Sequence, residues 1–198
     1  MRCVSTCWSG IGLALLLTAC SGMAPQSTPA TNQRADDRPA SPLTGEVQAA
    51  QRLYQADKVE QARAQLQALT ESHPDQPEAF LVLAGLELGE AHPEAAQQAL
   101  ETALALDPDN LRALNQLGVS QRMQGRFSEA QQAYSRALSI DPEYAQAHRN
   151  LGILYDLYLG KPGEALKHYQ RYQALNGRAD PTIEGWIADL QRRTGANP

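Results

Sequence analysis

The chain has 198 residues, 42% of them hydrophobic and 20% charged, with a net charge of −5. That balance suits one globular domain with appendages, and its acidic sign offers no basic field for a nucleic acid. Cys3, Cys7 and Cys20 all lie near the start and the following 178 residues hold none, which excludes a disulfide framework or cysteine metal site from the folded part.

The first twenty residues, MRCVSTCWSGIGLALLLTAC, carry a positive N-terminus, an apolar run through Leu15, Leu16 and Leu17, and small residues before a cysteine. This is the plan of a secretory leader, with an apolar core too short for a spanning helix. Leu17, Thr18, Ala19 and Cys20 resemble the bacterial lipoprotein box. That resemblance implies cleavage of residues 1–19 and acylation of Cys20, and acyl chains in the plural hold a protein firmly to a bilayer. Ser21 follows the cysteine, where retention at the inner membrane goes with Asp, so the expected destination is the periplasmic face of the outer membrane. The leader carries only Arg2, and without it the net charge is −6.

Residues 20–42 supply the lipidated cysteine and a tether. The stretch SGMAPQSTPATNQRADDRPASP has four prolines, mixed charge, no aromatic residue and no apolar periodicity. Such composition cannot supply a packed core, and a chain of that length spans about 25 Å root-mean-square.

From Leu43 onward apolar residues recur at helical spacing. The clearest unit, 111–144, holds Leu114, Leu117 and Gly118 in its first half and Ala130, Ala133, Tyr134 and Ala137 in its second, with Gly125 between. Pro142 closes it, and steps of thirty-four residues back from Pro142 reach Pro108 and Pro74. The spacing and the small residues at the helix crossing resemble the tetratricopeptide (TPR) repeat. The resemblance implies an all-α fold, an α-solenoid of about four helix-turn-helix units, with repeats at 43–76, 77–110, 111–144 and 145–178. In the first, Val47, Ala50, Leu53 and Tyr54 face Ala62, Leu66 and Leu69, and Asp57 stands where the best unit has Gly125. In the second, Ala84, Ala96 and Ala103 alternate with Phe80, Leu83 and Leu100, and Pro93 suits the first turn of a helix. The fourth keeps Leu151, Gly152 and Tyr155 in register, but Ala165 arrives one position late, which predicts a longer helix or turn within 156–160. Residues 179–198 read as a capping helix and tail: Asp180 and Pro181 start it, and Ile183, Trp186, Ile187 and Leu190 form its apolar face. Trp186 is expected as a core anchor, with a ligand-stacking role as the alternative.

His73, His92, His148 and His168 lack metal-ligand spacing, although the last two could approach across the fourth hairpin. Glycines punctuate turns and form no phosphate loop. The expectation is no enzyme, no cofactor and no metal. A TPR solenoid binds protein or peptide segments on the face lined by its first helices. Register with the family places there Val47, Gln51, Tyr54, Glu78, Leu81, Leu88, Arg112, Asn115, Val119, Arg122, Gln146, Arg149, Ile153 and Asp156. The expected contact residues are Leu81, Leu88, Arg112, Asn115, Val119, Arg122, Arg149 and Ile153, with three arginines suited to an acidic or polar segment. The chaperone-tail clamp of the family needs inward Lys and Asn, and Val47, Gln51 and Val82 stand there instead.

Taken together, the chain resembles bacterial TPR lipoproteins and, among them, the small pilotin-type lipoproteins of type IV pilus assembly. The expected function is an outer-membrane-anchored scaffold for an envelope complex such as a pilus secretin. An accessory of TonB-type transport or of peptidoglycan machinery is the alternative, and a small-ligand carrier or enzyme is the remote one.

Overall fold

The computed structural model describes residues 43–196. The leader, Cys20 and the tether lie outside the described residues. Among the described residues there are nine α-helices: α1 (Thr44–Gln55), α2 (Val59–Ser72), α3 (Pro77–Gly89), α4 (Pro93–Leu106), α5 (Leu111–Met123), α6 (Phe127–Ile140), α7 (Ala145–Ile153), α8 (Pro162–Asn176) and α9 (Pro181–Thr194). Each packs against the next, and α1, α3, α5 and α7 also pack side by side, so these four line one face of an α-solenoid. No helix among the described residues is long and apolar enough to cross a membrane.

Local chemistry sets the helix ends. Proline opens α3, α4, α8 and α9, where its missing N–H costs nothing. Asn110 accepts from the Ala113 amide at 3.0 Å to cap α5, and Asp180 accepts from Thr182 and Ile183 to cap α9. Within every unit the chain reverses through one residue in the left-handed region: Asp57 (φ 60°), Ala91 (φ 60°), Gly125 (φ 75°) and Gly160 (φ 60°). In the first three turns the next amide reaches back five residues, from Lys58 to Leu53, His92 to Glu87 and Arg126 to Gln121, at 2.8–2.9 Å. This closes the helix in a Schellman turn.

The fourth unit holds its additional residue in the helix itself. Leu154–Tyr158 form a π-helical turn continuing α7, with the Leu159 amide donating to Leu154 O at 3.0 Å. The amide of Lys161 then reaches Tyr155 O, one residue further back than in the other turns. The widening begins at Leu154, ahead of the 156–160 stretch where the late Ala165 points. A helix absorbs one inserted residue most locally by one turn of i→i+5 bonding.

The core is built from small-to-large pairs within each hairpin. Ala50 and Leu66 are buried in the first unit and Ala84 and Leu100 in the second. The same positions hold Gly118 with Tyr134 in the third unit and Gly152 with Tyr169 in the fourth. A methyl on Gly118 would lie 2.4 Å from Tyr134 Cε1, and one on Gly152 would lie 2.4 Å from Tyr169 Cε1. A smaller residue on the first helix thus makes room for a larger one on the second. Burial pushes the Tyr134 phenol up to about 12, and its hydroxyl makes no hydrogen bond of good geometry.

Helix α9 covers the last hairpin. Ile183, Ile187 and Leu190 are buried against Ala165, Leu166 and Tyr169, and the Trp186 ring lies 5.3 Å from that of Tyr169. Trp186 therefore anchors the cap. Arg193 donates to Asp156 at 2.8 Å and ties the cap to the π turn.

Between the first two units a buried carboxylate joins α2, α3 and the turn before α4. Glu87, 5% exposed, accepts from Arg63 at 2.8 Å and pairs with His92 Nδ1 at 2.9 Å.

Candidate docking surface

The inward positions of α1, α3, α5 and α7 follow one another at thirty-four-residue steps, and their burial changes along the solenoid. Val47 and Leu81 are buried in the core, 4% and 1% exposed, whereas Asn115 and Arg149 at the equivalent positions are half-buried. Leu81 therefore lends floor to the face and no exposed contact. Leu88 is partly buried against the second core cluster. Val119 packs against the cluster of Ala130, Tyr134, Leu151 and Leu154, and Ile153 against the cluster under the capping helix.

The polar members form links between units. Arg112 donates to Glu78 across 3.3 Å, and Asn150 donates to Asn115 at 2.8 Å. Arg122 donates to the Tyr158 hydroxyl at 3.2 Å and sits 5.6 Å above that ring, with no carboxylate partner among the described residues. Its Nε is buried without a partner among the described residues. Arg149 forms no salt bridge among them either and stands near the Tyr169 and Tyr172 phenols. Two half-buried guanidinium groups thus face the third and fourth units with positive charge that no acid of the described chain neutralises. A carboxylate arriving there would meet charge-assisted donors.

Between α1, α3 and α5 the face opens into a groove of about 170 Å³ with an apolar floor of Leu66, Leu81, Val82 and Leu86. Gln51, Tyr54, Arg112 and Gln116 form its polar rim. Gly85 makes the groove possible, since Gln51, Val119 and Ile153 fill the equivalent position in the other units. A methyl there would meet only Gln116 Nε2, at 3.5 Å. Gln116 Oε1 is buried with no partner among the described residues, so the groove keeps an acceptor ready for an N–H. Val82, Gly85, Leu86 and Gln116 lie outside the register-based stripe. A glycine at a position otherwise filled by larger residues is the signal in the sequence that points to them.

Among the described residues no group of three or more His, Cys, Asp or Glu side chains is arranged to hold a metal ion.

A stacked series of antiparallel helix pairs with a repeat of thirty-four residues and small residues at the crossing defines a tetratricopeptide-repeat protein, a scaffold fold. Family models agree: two described as tetratricopeptide repeat match residues 47–91 and 99–132, and one described as TPR repeat matches 121–157. The chain is loosely similar to pilotin-type TPR proteins. It superposes on Pseudomonas aeruginosa pilF with a TM-score of 0.68 and 29% identity, covering 77% of this chain and 68% of that one. MamA shares the fold at 21% identity and a TM-score of 0.63, covering 74% of this chain and 84% of that one. TTC0263, a thermophilic TPR protein of Thermus thermophilus, shares it at 23% identity and a TM-score of 0.63, covering 76% and 82%. No curated protein sequence gives a significant match.

Proposed function

We propose that this protein is a lipid-anchored scaffold on the periplasmic face of the outer membrane. It presents its concave face to a segment of an envelope complex, with pilus secretin assembly the leading pathway. The observation that carries the reading is the 29% identity to pilF across 77% of the chain. The lipoprotein box ending at Cys20 supports the anchor.

The geometry supports an extended or helical peptide as occupant. Apolar side chains would fill the groove over Leu81, Val82 and Leu86, and a carboxylate would lie over Arg122 and Arg149. The partner's order of chemistry follows from that layout: apolar against the first three units, acidic against the last two.

The test is complementation in a host lacking the gene, with surface pili and membrane-embedded secretin multimers as readouts. Wild type should restore both. Cys20→Ala should leave the protein out of the membrane fraction, and Gly85→Leu or the pair Arg122→Ala with Arg149→Ala should fail to complement while remaining folded. Full pilus and secretin levels in the deletion host would refute the pathway, and complementation by both face variants would refute the site.

A further inference from the structure

His148 on α7 and His168 on α8 bring their Nδ1 atoms to 2.9 Å, with ring centroids 5.1 Å apart. The approach is held from several sides. His148 Nε2 faces the Pro142 carbonyl oxygen at 3.1 Å, so this nitrogen carries the proton and His148 Nδ1 presents a lone pair. His168 stacks on Tyr155 with centroids 5.5 Å apart. Glu164, Lys167 and Arg171 are the charged groups around the pair. No ion pair among the described residues requires the two rings to meet, and nothing in the scaffold reading uses them.

We propose that His148 and His168 form a two-imidazole site for a divalent copper ion, bound through both Nδ1 atoms in cis positions. The two Nδ1 atoms lie close enough to reach one ion once the hydrogen bond between them opens. Among divalent first-row metals, copper binds imidazole nitrogen most tightly. A backbone carbonyl on the distal N–H of a metal-bound histidine is the usual outer support, and Pro142 supplies it to His148.

The proton inventory also suits a metal. In the apo pair His168 Nδ1 donates to His148 Nδ1, and binding moves that proton to His168 Nε2, so both Nδ1 lone pairs reach the ion without net proton release. Water or a partner would complete the coordination.

The experiment titrates the tag-free mature chain, acylated at Cys20 and held in detergent, against Cu(II), Ni(II) and Zn(II) salts at neutral pH and records the Cu(II) paramagnetic resonance spectrum. One Cu(II) should bind at least tenfold more tightly than Zn(II), with nitrogen splitting from two imidazoles. His168→Ala and His148→Phe should each weaken binding at least thirtyfold, and His73→Ala should leave it unchanged. Undiminished binding in the folded pair variants, or Zn(II) binding as tightly as Cu(II), would overturn the site. Should either variant fail to fold, the wild-type spectrum decides: two equivalent ring nitrogens support the site and any other donor set refutes it.

Discussion

The contact between Gly118 and Tyr134 makes a quantitative prediction about how this solenoid is held together. In Gly118→Ala the new methyl would lie 2.4 Å from Tyr134 Cε1 and 2.7 Å from two further ring carbons. The ring is 0% exposed and has nowhere to withdraw. Overpacking of a rigid core costs about 1–3 kcal/mol, and a clash this close with a ring belongs near the top of that range. Alanine is better than glycine inside a helix by about 0.8–1 kcal/mol, which offsets part of the cost. The net loss is about 2 kcal/mol, a fall in Tm of about 4–8 °C for a domain of this size. The second unit shows how the strain would be relieved, since it packs Ala84 beside Leu100. Gly118→Ala combined with Tyr134→Leu should therefore be more stable than the sum of the two single variants by about 1–3 kcal/mol. Urea unfolding of the four proteins, followed by circular dichroism, measures that coupling. Strictly additive effects, or a Gly118→Ala loss below about 0.5 kcal/mol, would refute the size-complementarity argument.

Three further outcomes are expected. Ala91→Gly should stabilise the protein by about 0.5–1 kcal/mol in the same assay, because Ala91 holds a φ of 60° at an exposed turn where glycine is unstrained. Glu87→Ala should cost about 2 kcal/mol by leaving Arg63 without its buried acceptor, partly relieved because Arg63 also pairs with Glu60. Stability should fall with acid: His168 titrates at about 4 when folded, against about 6.5 when unfolded, so the unfolded chain takes up the proton first as pH drops. Its contribution is complete above about pH 6.5 and is lost toward pH 4; a urea midpoint unchanged between pH 7 and 5 would contradict this.

The fold was largely legible because repetition multiplies weak local signals. Pro74, Pro108 and Pro142 fix the period, and Ala130, Ala133 and Ala137 mark a helix that must sit close to its neighbour. Other features depend on geometry that residue type does not encode. Asp57 and Gly125 read as turn residues, yet Ala91 adopts the same left-handed conformation, because the Schellman hydrogen bonds impose it on whichever residue follows the helix. The late Ala165 revealed an insertion but could not distinguish a longer loop from a π turn. The candidate face was legible in part. Its cations followed from register, but α3 carries apolar residues on most sides, so periodicity could not reveal that Leu81 would lie beneath the groove. The groove arises from the missing side chain of Gly85 and from three helices curving around it, a tertiary property.

The pairing of small with large residues inside each hairpin also bears on how such a chain can be recombined. Ala with Leu in the first two units, and Gly with Tyr in the last two, are alternative fillings of one interhelical gap, and both members always belong to the same unit. Exchanging whole units between related proteins, with breakpoints in the loops near Pro74, Pro108 or Pro142, carries each matched filling along intact. A breakpoint at Gly125 would separate Gly118 from Tyr134, leaving a hole in one hybrid and a collision in its reciprocal. Crossovers that survive selection in this family should therefore cluster between hairpins and avoid the turns within them.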